Sequence, residues 1–303
     1  TDKADAIKIA RYTLDNWCEL KPYNNTDELR RQLKNMNRQF DFYMKQKTAM
    51  KNNLIALLDE TFPGINTFFD SPARNDGSQK WVDFVTIFWH VDCVRDILFL
   101  RSLSGINLGV KEKYNFQSQK PNDIYEFSHD LIATLSKDNV TKLLIQQAVD
   151  QLNIASKNVE SLRLLMNQTA AKLPEYPIVL DMAGVGTTLG PQLIAEIGDV
   201  SRFSHKGALT AYAGVDPGAN QSGDYEQQSV RTSKRGAPQL RKTLFLIMDS
   251  LMKLAPPDDP VYGFMMKKRA QGKDYYVYMT AGANKFLRIY YGRVNEYLSS
   301  LTS

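Results

Sequence analysis

Three groups of residues have types and spacings that could do chemistry. The first lies in a polar stretch, residues 220–236 (NQSGDYEQQSVRTSKRG), where one serine stands before a glycine and the chain then runs into cations. Ser222 is followed within twenty residues by Arg231, Lys234, Arg235, Arg241 and Lys242. A hydroxyl near guanidinium and ammonium groups suits phosphoryl transfer, because the cations can hold a phosphate and stabilise its developing charge. Pro217, Gly218 and Gly223 are turn formers, and the alternation after Ser222 predicts a short hairpin. Taken alone, Ser222 reads as a turn-capping serine before it reads as a nucleophile. His205 is the one histidine nearby in sequence that could serve as a base.

The second group is residues 182–199, MAGVGTTLGPQLIAEIGD. Gly184 and Gly186 predict a tight turn opening into a helix. Leu189, Leu193, Ile194 and Ile197 form its buried stripe, Pro191 is tolerable in its first turn, and Gly198 ends it. Small residues there, with Thr187, would expose backbone N–H groups to a phosphate. The alternative is a plain helical corner. The third group is Asp2 and Asp5, which share one face of a helix at i and i+3. Such a pair can hold Mg²⁺, or can simply favour the helix N-terminus.

The elements that must position these groups are mostly helical. Residues 2–18 read as a helix without breakers. Asn25 as N-cap and Glu28 three residues on form a capping-box pattern. A heptad then runs Leu29, Leu33, Met36, Phe40, Tyr43, Lys47, Met50, Leu54, Leu57, with Lys47 its lone polar member. A second runs Ile145, Ala148, Leu152, Ala155, Val159, Leu162, Met166, Thr169, Leu173. Each spans about 28 residues, roughly 40 Å, inviting an antiparallel pairing or a dimer. Residues 61–140 between them read as a helical insertion, with an apolar helix over 81–100. His90 and His129 stand singly there, as structural histidines do. From Pro174 a further domain follows, broken at residues 254–263 and closing on an aromatic-rich helix from Tyr275 to Tyr297. The expected class is mainly α, with domains at 1–24, 25–173 and 174–303.

Nothing approaches 18 consecutive apolar residues, and no secretory signal opens the chain, so neither a membrane span nor export is expected. Cys18 and Cys93 have no metal-type spacing and read as buried thiols in a reducing cytoplasm. The net charge of +5 is unevenly placed: residues 231–293 hold 13 Lys/Arg against 4 acids, a surplus of 9. That is the footprint of a polyanion binder, or else a solvated basic face. The start at Thr1 suggests the downstream part of something larger.

In this order, the motifs resemble the insertion-sequence transposases of family one hundred and ten, the bridge-RNA-guided serine recombinases. GVG…LIAEIGD…RF…AYAGVDP…QSG…SKRG…LRK follows the family's transposase-domain pattern. TDKADAIKIA is similar to the terminal element of its ribonuclease H-like domain, and residues 261–291 to its closing helices. Ala183, where proline is usual, and Gly190, where alanine is common, depart from the pattern. The resemblance implies that Ser222 is a nucleophile joining covalently to DNA. It also implies that Asp2 and Asp5 are the last two of four Mg²⁺-binding acids, the other two lying upstream, so that this stretch alone would be inactive. Its implied partners are double-stranded DNA, a structured guide RNA, and a second copy in homodimers that pair into a tetramer. A junction nuclease using water and a non-catalytic nucleic-acid scaffold are the alternatives.

Overall fold

The computed structural model describes residues 2–18, 27–95, 120–216, 221–222, 225–226, 232 and 234–302. The chain divides into two compact units, Asn35–Ala171 and Thr1–Lys34 with Lys172–Ser303. It is mainly α-helical, as expected.

The Asn35–Ala171 unit is built on α2 (Glu28–Thr61, entering from the other unit) and α6 (Asn139–Ala170). A 3₁₀ turn (Ile65–Phe68), α3 (Lys80–Ile87), α4 (Val91–Arg95) and α5 (Lys120–His129) lie between them in sequence. The expected cap Asn25 lies outside the described residues. The start of α2 nevertheless falls later than a capping box there would place it: Glu28 is the first helical residue. Asp27 accepts a hydrogen bond from the Leu29 N–H at 3.1 Å, and its carboxylate also suits the positive end of the helix dipole. Asp138 does the same for α6, accepting from the Thr141 N–H at 2.8 Å. That hydrogen bond holds its carboxyl below the usual carboxylate range.

On α6 the apolar seam is buried at Ile145, Ala148, Leu152, Ala155, Val159, Met166 and Thr169, with Leu162 half-buried. On α2 only Leu33, Phe40 and Leu54 of the seam are buried. No residue between Phe40 and Leu54 is, so Lys47 interrupts a stretch whose side chains keep contact with water. Leu54 and Leu58 of α2 share a core with Phe62, Trp81, Phe84, Trp89 and with Ile145, Ala148 and Leu152 of α6. Each such side chain contributes about 1.5–3 kcal/mol by burial.

The apolar stretch after residue 80 is not one helix. It breaks at Phe88–His90, because Phe84, Val85, Phe88, Trp89, Val91 and Val94 are all buried and a single helix would spread them over opposing faces. His90 turns the corner: its Nδ1 accepts from the Asp92 N–H at 3.1 Å and its Nε2 lies 3.0 Å from the Leu135 carbonyl oxygen. His129 is exposed, edge-on to Tyr125. Cys93 is half-buried, but Cys18 is exposed, contrary to expectation, since α1 (Asp2–Asp15) before it buries none of its residues.

The other unit adds to α1 the helices α7 (Tyr176–Leu180), α8 (Leu189–Ile197), α9 (Lys206–Ala213), α10 (Pro238–Leu254), α11 (Pro260–Ala270) and α12 (Tyr275–Thr302). Met279, Ala283, Phe286, Leu287, Tyr290 and Val294 recur at steps of three and four along α12 and are buried, facing α9, α10 and α11. Pro238 and Pro260 open their helices where no N–H partner is lost. Asp259 caps α11 by accepting from the Val261 and Tyr262 N–H groups. Among the described residues no helix is long and apolar enough to cross a membrane.

Candidate functional site

The serine segment leaves and re-enters the helical unit through a narrow neck. Helix α9 ends at Gly214, which takes a left-handed φ of 64°. On the return side the Ala237 N–H donates to the Tyr212 carbonyl at 2.8 Å. Gly236 lies so close that a Cβ there would sit 2.0 Å from the Tyr212 oxygen and 2.4 Å from the Gly214 nitrogen. Arg241, one turn into α10, donates from Nη1 to the Ala213 carbonyl at 3.0 Å and to the Gly236 carbonyl at 3.2 Å. The expectation that Arg241 meets phosphate must therefore accommodate this commitment to the two arms of the neck.

Beyond the neck, β1 (Gln221–Ser222) pairs antiparallel with β2 (Tyr225–Glu226), Gln221 opposite Glu226 and Ser222 opposite Tyr225. Arg231 lies outside the described residues. Lys234 and Arg235 are exposed at the return arm. Lys234 has a left-handed backbone, φ 52°, which costs a non-glycine residue about 1 kcal/mol. Lys242 is exposed on α10.

His205 has a structural task. Its Nδ1 caps α9, accepting from the Gly207 and Ala208 N–H groups at 3.1 and 3.3 Å. His205→Asn, which keeps an N-cap acceptor, is expected to leave activity and melting temperature nearly unchanged. His205→Ala is expected to cost about 1 kcal/mol in thermal unfolding. Loss of activity in the asparagine variant would restore the histidine to the chemistry.

The GVG turn divides its two glycines between tasks. Gly184 is buried at φ 78°, and a Cβ there would lie 2.8 Å from Leu251 Cγ and 3.0 Å from the Ile247 carbonyl oxygen. It exists so that α10 can pack closely. Gly186 and Thr187 are exposed, with open space around Gly186, so of the turn's small residues these two are open to a ligand. Helix α8 behind them is buried from Gly190 through Ile197 and stops at Gly198, φ 69°.

Asp2 and Asp5 are exposed in the first turn of α1. Among the described residues, neither joins a group of three or more metal-ligating side chains, and no described contact brings them to Ser222. They supply hard oxygen donors on one helical face, which fits Mg²⁺ held by one or two carboxylates with phosphate oxygens and water.

Sequence reasoning missed a buried ion pair. Arg30 Nη2 donates to Glu175 Oε1, with the Glu175 side chain 2% exposed, and Tyr290 is fully buried close enough for their charges to act on its hydroxyl. The only signal was a glutamate amid the apolar residues around Pro174.

Residues 176–262, which include the neck, Ser222 and the GVG turn, match the family model described as Transposase IS116/IS110/IS902 family. Residues 1–63, which include Asp2 and Asp5 and extend through α2, match a DEDD-type model of IS110, described as a transposase. No curated protein matches the chain. The pinched serine loop and the exposed acid pair thus each fall inside a stretch that matches a transposase model, and the two matches together point to an insertion-sequence transposase.

Proposed function

We propose that the protein moves its element by serine recombination, with Ser222 as the nucleophile. The observation that carries this reading is the neck, which lies within the matched transposase region and ends with Lys234 and Arg235 exposed beside it. In the proposed step the Ser222 hydroxyl oxygen bonds to a DNA phosphorus while the bond from that phosphorus to one sugar oxygen breaks. The serine proton passes to solvent, and the departing sugar oxygen takes one up. A sugar hydroxyl of the new strand then displaces the serine, so the phosphodiester count is conserved. Lys234, Arg235, Lys242 and Arg231 hold the phosphate and offset its developing charge. Gly186 and Thr187 grip backbone without reading sequence.

Asp2 and Asp5 would hold Mg²⁺, which would supply Lewis-acid stabilisation of charge on phosphate oxygens. Their exposure on α1 supports a composite centre, with the acids of one subunit serving the serine of another in a homodimer or a tetramer of paired dimers. A structured guide RNA would select target and donor double-stranded DNA, with the basic surplus of residues 231–293 contributing to its binding.

The test is a denaturing gel of protein, element-end DNA, Mg²⁺ and the flanking transcript. The wild type is expected to give a covalent protein–DNA adduct that Ser222→Ala removes completely. Mg²⁺-dependent cleavage without an adduct, unchanged by the mutation, would replace this reading with a nuclease using water. Binding with no cleavage by either protein would leave a scaffold.

A further inference from the structure

One surface of the transposase unit is not used by this chemistry. At the start of α12, Tyr276 is 73% exposed and Tyr275 47% exposed, while Tyr278 is 7% exposed and anchors them in the core. The rings brace each other edge-on: Tyr275 lies 5.3 Å from Tyr276 at 83° and 5.5 Å from Tyr278 at 77°. The Phe245 ring of α10 lies 6.5 Å from that of Tyr276, tilted by 50°. An exposed aromatic residue alone means little. Here, however, the ring lies against two others, one of them braced in turn by Tyr278, so presenting its open face to a ligand costs less further ordering.

The charge in the adjoining chain is mostly positive. Lys267, Lys268 and Arg269 form the last turn of α11, and Lys273 precedes the tyrosines, with Asp274 the one acid between residues 267 and 276. Asp249 acts electrostatically on Tyr275 but is paired with Lys253 at 2.6 Å. Lys268 and Lys285 lie over the Phe264 ring at 5.7 and 4.8 Å, which keeps their ammonium groups at the α11–α12 junction.

We propose that Tyr276, braced by Tyr275 and Phe245 and preceded in the chain by the cations Lys267, Arg269 and Lys273, is a stacking platform for an unpaired base of single-stranded DNA. Cations follow the phosphates while aromatic faces receive the bases. Single-stranded DNA is the occupant because bases inside a duplex offer only edges, not faces, to a protein. The platform also rests against α10, the helix that leaves the serine neck, through Phe245. Phe245 is about 10 Å along α10 from Pro238 at 1.5 Å per residue, a span of about three nucleotides at 3.4 Å each. A strand opened beside the neck would pass within a few nucleotides of it. This location rests on the reading of the loop as the cutting site.

Fluorescence anisotropy of the whole chain with labelled oligothymidylate, oligouridylate and a mixed-sequence duplex, at one salt concentration, tests the platform. Tyr276→Ala is expected to weaken oligothymidylate binding about 5- to 100-fold and to leave the duplex within about twofold. Tyr276→Phe should bind like wild type, because the ring and not the hydroxyl stacks. Equal weakening on the duplex, no weakening on oligothymidylate, or a loss confined to oligouridylate would overturn the proposal, the last assigning the ring to RNA. The adduct gel reports separately on the serine chemistry. A wild type without adduct but with the Tyr276 effect intact would therefore sink the recombinase reading and not the platform.

Discussion

Gly236→Ala is expected to suppress adduct formation at least about 100-fold, nearly as far as losing Ser222 itself, while the helical unit stays folded. The added methyl would stand 2.0 Å from the Tyr212 carbonyl oxygen and 2.4 Å from the Gly214 nitrogen. Both are backbone atoms, with no flexible side chain to swing aside, so the two arms of the neck must separate. Separation breaks the Ala237–Tyr212 hydrogen bond and pulls the Gly236 carbonyl from Arg241. Overpacking of this kind costs about 1–3 kcal/mol, and the loop can open locally, so the melting temperature should fall only modestly. Activity is less forgiving, because displacing a reacting group by about 1 Å can cost about 100-fold. Arg241→Lys keeps the charge but loses the planar fork that reaches both arms. It should reduce adduct yield without changing the salt dependence of DNA binding. A lower salt slope would show Arg241 at a phosphate instead, and a Gly236→Ala protein with wild-type adduct yield would dismiss the neck as a positioning device.

The sequence made the long helices legible because their information is periodic and local. The α6 seam is buried nearly as the heptad predicts, Gly198 ends α8, and Pro260 opens α11. The α2 cap shifted because Asp27 competes with Asn25 within the same polar stretch, and local rules rank the two alike. The break at Phe88–His90 was hidden because an apolar run shows that residues are buried but not on how many faces. The cations around Ser222 were legible from composition, but their division of labour was not. Arg241 finds its carbonyl 28 residues back at Ala213, and Gly184 makes room for Leu251 of α10. These are facts of tertiary packing that no spacing in the sequence encodes.

Glu175→Ala is expected to destabilise the protein by about 3 kcal/mol, since it leaves the Arg30 guanidinium, 14% exposed, with only the longer and more exposed contact to Asp27 at 3.5 Å. For a unit of this size that is a fall in melting temperature of about 10 °C. The pair joins the first turns of α2 to the start of α7 beside α12, so its loss should loosen the transposase unit as a whole. A double replacement, Arg30→Met with Glu175→Leu, removes both charges and should recover most of the loss. Tyr290 sharpens the test. Its hydroxyl is buried without a hydrogen-bond partner among the described residues, and burial raises its pKa far above the ordinary tyrosine value. Tyr290→Phe should then be neutral or stabilising at pH 7, because it deletes an unsatisfied polar group and keeps the ring. Above about pH 10 an unfolded tyrosine ionises while the folded one cannot. Wild-type stability must therefore decline with rising pH there, and the decline should be smaller in the phenylalanine variant. A Glu175→Ala protein that melts with the wild type, or a Tyr290→Phe protein that loses several kcal/mol at neutral pH, would mean that the cluster is solvated or otherwise hydrogen-bonded in solution.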